Sequence, residues 1–108
     1  MKAYTVDDVN ARRQASGGQW LEFERSASLS TGLYVLQSDE PDLQTPHDED
    51  EIYVVMSGRA RFVANGEPVD VATGSVIFVP AHEPHRFEDV QGPLQLVVVF
   101  APPESSGS

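Results

Sequence analysis

The sequence predicts one all-β domain, a small barrel or sandwich of about eight short strands preceded by a short helix. Three observations carry this reading. Segments rich in Val, Leu, Phe and Tyr recur from Trp20 onward, turn residues divide nearly all of them, and some alternate apolar with polar residues at the period of a half-buried strand.

The helix comes first. Thr5 with Asp8 three residues later suits an N-terminal cap, and VDDVNARRQ carries its acids early and Arg12 and Arg13 late, as the helix dipole favours. The run Ser16, Gly17, Gly18 ends it. The strand segments then read WLEFERS, LSTGLYVLQ, EIYVVMS, RARFVA, PVDVA, SVIFVPA, HRFEDV and LQLVVVFA. Asn65-Gly66 suits the two positive φ angles of a type I′ hairpin, Thr73-Gly74 and Gly92-Pro93 punctuate, and Ser57-Gly58 ends a strand. RARFVA and PVDVA alternate and predict one solvated face, whereas SVIFVP and LQLVVVF are nearly continuous and predict burial on both faces. A single domain is expected over residues 1–101, with the polar PPESSGS at 102–108 a disordered tail.

Composition narrows the function classes. A chain of 108 residues is one domain, and it buries only about 60–65% of its unfolded surface. The core is thin, and a homodimer is expected. With 7 Lys plus Arg against 17 Asp plus Glu, the net charge of -10 repels phosphate backbones and anionic lipids, which argues against nucleic acid and membrane partners. The absence of cysteine excludes disulfides, thiolate metal sites and cysteine nucleophiles. No apolar run approaches the ~20 residues of a membrane span, and MKAYTVDDVN has no apolar signal core, so a cytoplasmic location is expected.

The chemistry concentrates in TPHDEDEIYVVMSG, residues 45–58, where a histidine stands among acids before an apolar strand. Strand alternation places His47, Glu49, Glu51, Tyr53 and Val55 on one face and Asp48, Asp50, Ile52, Val54 and Met56 on the other. An imidazole and a carboxylate on one face suit a divalent ion of intermediate softness. The two remaining histidines lie in VPAHEPHRFEDV, where His85 opens the next strand on the face of Phe87.

These residues carry a family resemblance: the chain resembles a small single-domain cupin. The first cupin motif runs roughly G-x5-H-x-H-x(3,4)-E-x6-G, and His47, three residues, Glu51, six residues and Gly58 match its second half. Gly74, five residues, Pro80 and His85 match the second motif, G-x5-P-x-G-x2-H-x3-N, and the two together span residues 44–90. The resemblance implies a double-stranded β-helix, or jelly-roll, barrel with His47, Glu51 and His85 as metal ligands. The family's first histidine falls on Thr45, the motif glycine after Pro80 on His82, and the closing Asn on Asp89. Two histidines and one carboxylate leave up to three positions of an octahedron for water, dioxygen or a chelating substrate, and serve Fe, Mn, Zn, Ni or Cu.

The implied function is a metal-dependent enzyme acting on a small organic molecule, a dioxygenase-type oxidoreductase ahead of an isomerase or lyase. The alternative is a non-catalytic cupin that binds a metal or small molecule, or a structural one. His82 fits a turn position, since histidine is enriched at positive φ. Asp48, Glu49 and Asp50 read as a solvated rim, with Glu49 an alternate ligand and, with Tyr53, a general-base candidate by position. Glu88 and Asp89 are candidate acceptors behind a liganding histidine. Arg59, Arg61 and Arg86 are solvated or hold an anion, and Trp20, Tyr34, Tyr53, Phe78 and Phe87 are core or barrel-mouth residues.

Overall fold

A computed structural model describes residues 1–105. Helix α1 (Val6–Ser16) is followed by six strands, β1 (Trp20–Arg25), β2 (Ser30–Leu36), β3 (Asp50–Ala64), β4 (Glu67–Ala72), β5 (Val76–Val79) and β6 (His85–Ala101). The Thr5 hydroxyl accepts from the Asp8 amide at 3.1 Å and Gly17, at φ 84°, closes the helix, so the capping reading holds. No described helix is long and apolar enough to cross a membrane.

The strands form one antiparallel sheet in the order β1-β2-β6-β3-β4, with β5 paired to the first part of β3. This is the double-stranded β-helix expected from the sequence. Its interior is filled by Leu36, Tyr53, Val55, Phe62, Val79, Phe87, Leu94, Leu96, Val98 and Phe100, all almost fully buried. A second cluster, Val9, Leu33 and Val35, seats the helix on the outer face of β2.

Fewer strands are seen than the segments suggested, because EIYVVMS and RARFVA form one strand, as do HRFEDV and LQLVVVFA. Their dividers bend strands instead of ending them. The β3/β6 register shifts between Val55 and Ser57, Ser57 and Arg59, and Arg59 and Arg61, which is the signature of bulges that turn a long ribbon across a barrel. At that bend Gly58 has φ 82°, and a Cβ there would lie 2.6 Å from the Pro93 carbonyl oxygen and 2.9 Å from that of Gln91. Asn65 at φ 52° and Gly66 at φ 82° make the expected two-residue hairpin between Ala64 and Glu67.

Two further expectations are corrected. SVIFVP is not buried on both faces: Val76 is 67% and Phe78 61% exposed, beside Ile52 and Met56 at 39% each. The tail expected to be disordered over 102–108 packs back over its first residues. The Glu104 amide donates to the buried Ser30 hydroxyl at 2.9 Å, Arg25 donates to the Glu104 carbonyl at 2.7 Å, and the Ser105 hydroxyl donates to Glu49 at 2.8 Å. Residues 106–108 of that expected tail lie outside the described residues.

Candidate metal centre

His47 lies just before β3, Glu51 is the second residue of β3, and His85 opens β6. The alternation of β3 turns Glu51, Tyr53 and Val55 inward and leaves Ile52 and Met56 outside, and His47 and Glu49 continue the inward series. Barrel closure then brings His85 across to Glu51. One donor atom from each of His47, Glu51 and His85 lies within 4.8 Å of the others, and all three residues are buried.

Glu51 Oε1 stands 3.0 Å from His85 Nε2 and 4.0 Å from His47 Nε2. Donors on one ion with bonds of about 2.1 Å are about 3.0 Å apart when cis in an octahedron and about 3.4 Å apart in a tetrahedron. Glu51 and His85 already have that spacing, and His47 needs to close by less than about 1 Å. Although near each other, Glu51 Oε1 and His85 Nε2 are not aligned as donor and acceptor, and among the described residues they are the buried side-chain polar atoms left without a hydrogen-bond partner. Such atoms are costly to bury unless something satisfies them. A cation between them would, so this group could bind a metal.

The surroundings orient the group. His85 Nδ1 lies 2.7 Å from the Glu83 carbonyl, which favours the proton on Nδ1 and leaves Nε2 facing Glu51. Burial works against a charged His85, but the Glu51 carboxylate and the Glu83 carbonyl outweigh it and hold its pKa above the ordinary imidazole value. Burial, with the Glu51 charge, holds the Tyr53 hydroxyl well above the usual phenol range, so it keeps its proton and donates to Gln44 Oε1 at 2.8 Å. That argues against Tyr53 as a general base. Gln44 donates through Nε2 to Asp42 at 2.7 Å, and Asp42 also accepts from the Tyr34 hydroxyl and the Phe87 amide, each at 2.8 Å.

Several sequence expectations resolve differently. Glu49 is 4% exposed and accepts from Ser105, so it belongs to the tail contact and not to a solvated rim. Glu88 pairs with Arg86 and Asp89 with Arg61, so neither serves His85; the Glu83 carbonyl does, a backbone acceptor that residue types cannot reveal. His82 has φ 70°, and its amide donates to the His47 carbonyl at 2.7 Å, which makes it a turn residue that anchors the ligand loop. Residue type and spacing do not mark Gln44 and Asp42 as functional. They stand in a loop without periodicity, where only their proximity in the fold gives them meaning.

A cleft of about 550 Å³ opens beside His47 and Glu51, walled by Trp20, Tyr34, Leu43, Val98 and Phe100, with Thr45 and Glu104 also on it. Among the described residues it has no Lys or Arg in its lining. Arg59, Arg61 and Arg86 are exposed elsewhere.

The cupin domain family profile matches residues 32–100. An uncharacterized protein of Streptomyces coelicolor is 45% identical over 105 residues, 97% of this chain and all of its own length. The crystal structure of a Thermus thermophilus protein covers 95% of this chain and 99% of its own, with 22% identity and a TM-score of 0.73. The structure of KdgF from a Halomonas species covers 80% of this chain and 79% of its own, with 16% identity and a TM-score of 0.73. At those identities the two structures speak for the fold alone, while the profile covers most of β2, all of β3 to β5, nearly all of β6 and both motifs. The chain belongs to the cupin domain family.

Proposed function

We propose that the protein is a metal-dependent enzyme in which His47, Glu51 and His85 hold one divalent ion beside a cleft for a small organic molecule. The observation that carries this is the orphaned, buried pair of Glu51 Oε1 and His85 Nε2, 3.0 Å apart with His47 beside them. The bound ion would supply a Lewis-acid centre with open positions. Two imidazoles and a carboxylate form the donor composition of non-haem iron oxygenases, so a dioxygenase-type oxidation is favoured over isomerisation or lysis, with Fe, Mn, Ni, Zn and Cu all compatible.

The chain's own residues supply the rest. Glu83 fixes the His85 ring, Trp20, Tyr34, Leu43 and Phe100 offer an apolar wall that keeps water from one side, and Tyr53 holds its proton against Gln44. Without a Lys or Arg among the described lining residues, the cleft suits an uncharged, partly aromatic body whose oxygen donors reach the ion. The negative surface disfavours nucleic acid as a partner. A second copy of the chain is the protein partner we infer, seated on the exposed apolar face of Ile52, Met56, Val76 and Phe78.

A second reading, a non-catalytic metal-binding or small-molecule-binding cupin, is favoured by Thr45, which stands exposed on the cleft where the family motif has a histidine. The test is elemental analysis of protein purified without chelator or metal-affinity tag, followed by oxygen-electrode assays with catechols, enediols and 2-oxo acids after loading with Fe(II), Mn(II) or Ni(II). Oxygen uptake with product supports oxidation, and product without uptake supports isomerisation or lysis. Stable metal without turnover selects the binding module, and no metal after reconstitution removes the metal reading.

A further inference from the structure

We propose that Gln44 Oε1 is a fourth ligand of the ion held by His47, Glu51 and His85, an inference that rests on the metal reading above. The chain lacks an imidazole at Thr45, yet the neighbouring Gln44 lines the same cleft. Its oxygen lies 3.4 Å from His47 Nε2 and lines the cleft with Glu51.

The amide orientation is set by its partners. Gln44 Nε2 donates to Asp42 Oδ2 at 2.7 Å, an acceptor only, so the oxygen is the atom that meets the Tyr53 hydroxyl at 2.8 Å. Asp42 is itself held by the Tyr34 hydroxyl and the Phe87 amide, so this orientation is braced from both sides of the barrel mouth. An amide oxygen has two lone pairs. Tyr53 occupies one, and the other remains.

The second lone pair has a specific neighbour. A coordinating His47 Nε2 carries no hydrogen, so it cannot donate to Gln44 Oε1, and two acceptors would then face each other across 3.4 Å. That arrangement repels unless a cation lies between them, and the separation matches the about 3.4 Å expected of two donors sharing a tetrahedrally held ion. The resulting donor set is two imidazoles, one carboxylate and one neutral amide oxygen. The added oxygen is hard and uncharged, which shifts the preference toward harder divalent ions without further lowering the site's charge.

The experiment loads wild-type protein, Gln44→Leu and Gln44→Glu with Co(II), and records its visible absorption and the dissociation constant by chelator competition. The expected result is a dissociation constant at least tenfold higher in Gln44→Leu together with an altered visible band, and a constant between the two in Gln44→Glu, which keeps an oxygen at the same reach but sets a second acceptor against Asp42. A wild-type band in Gln44→Leu overturns the inference, even with weakened affinity, because the side chain then acts only by positioning His47 and Tyr53. A wild-type protein that binds no Co(II) removes the metal reading and this inference together, whereas wild-type binding matched by an unchanged Gln44→Leu removes this inference alone. If near-UV circular dichroism shows Gln44→Leu unfolded, Gln44→Met, which keeps the side-chain length, takes its place with the same outcomes.

Discussion

Glu51 and His85 stand near opposite ends of the β3/β6 ribbon, Glu51 opposite Phe100 and His85 opposite Ala64, yet their side chains meet at 3.0 Å. The ribbon reaches this by folding over at its bulges, so the candidate centre forms only when the barrel closes.

Gly58 is therefore a hinge on which both stability and the centre depend. Gly58→Ala would put a Cβ against the Pro93 and Gln91 carbonyls at a positive φ. It is expected to cost about 2–4 kcal/mol. Thermal denaturation should show a midpoint lower by about 10 °C or more, with metal content falling in parallel. Gly66→Val, at an exposed hairpin with open space around it, should disturb that turn but leave metal content at the wild-type level.

Removing a proposed ligand should do the reverse. His47→Ala and Glu51→Ala are expected to lower metal affinity by about 100-fold or more, since even outer-shell partners of metal ligands are worth about 10–100-fold. The His47 variant should keep its far-UV circular dichroism because the side chain lies ahead of β3. Elemental analysis after dialysis reads the outcome, and wild-type metal content would remove either residue from the centre.

The raised pKa of His85 gives a pH dependence with a definite sign. In metal-free protein this group's stabilisation is fully present below the ordinary imidazole value of 6.5 and is lost as pH rises through the higher folded value. Metal binding needs the ring unprotonated, so affinity should fall about tenfold per pH unit below that raised value. Denaturant melts of apo protein and metal titrations across neutral pH should therefore move in opposite directions.

The segment after β6 should prove part of the folded unit. Ser30→Ala leaves the buried Glu104 amide without its acceptor. A loss of about 1–3 kcal/mol is expected. Hydrogen exchange at Glu104 should accelerate well beyond any change at the strand amides.

Phe78→Glu tests the exposed sheet face. If the proposed second copy docks there, a charge among Ile52, Met56 and Val76 should shift sedimentation from that of a dimer toward that of a single chain while leaving the interior untouched. An unchanged sedimentation coefficient would remove this face as the proposed contact.

The helix caps, the Asn65-Gly66 turn and the shared face of His47, Glu51 and Tyr53 were legible in the sequence because each depends on local chemistry or on the two-residue period of a strand. The strand count was not. Gly58 and Gly92 can end a strand or bulge it, and only pairing across β3 and β6 decides which. The apolar run of Val76 and Phe78 predicts burial on both faces because it reports affinity for any apolar cover, whether from the same chain or another. Tail burial and the roles of Asp42 and Gln44 were hidden for a different reason: their partners are far away in sequence, as with Asp42 and the Phe87 amide.

The alternation of β3 carries a constraint on how such a protein can change over generations. Glu51 and Tyr53 face the interior while Ile52 and Met56 face outward, so a one-residue insertion before Glu51 that slipped the strand would expose the carboxylate and turn Ile52 inward. Point substitutions can revise one face at a time. Lineages carrying this barrel should accordingly accumulate length differences in the loop between β2 and β3 and at the β3–β4 turn, and keep the residue count from Glu51 to Gly58 fixed while the side chains in between drift.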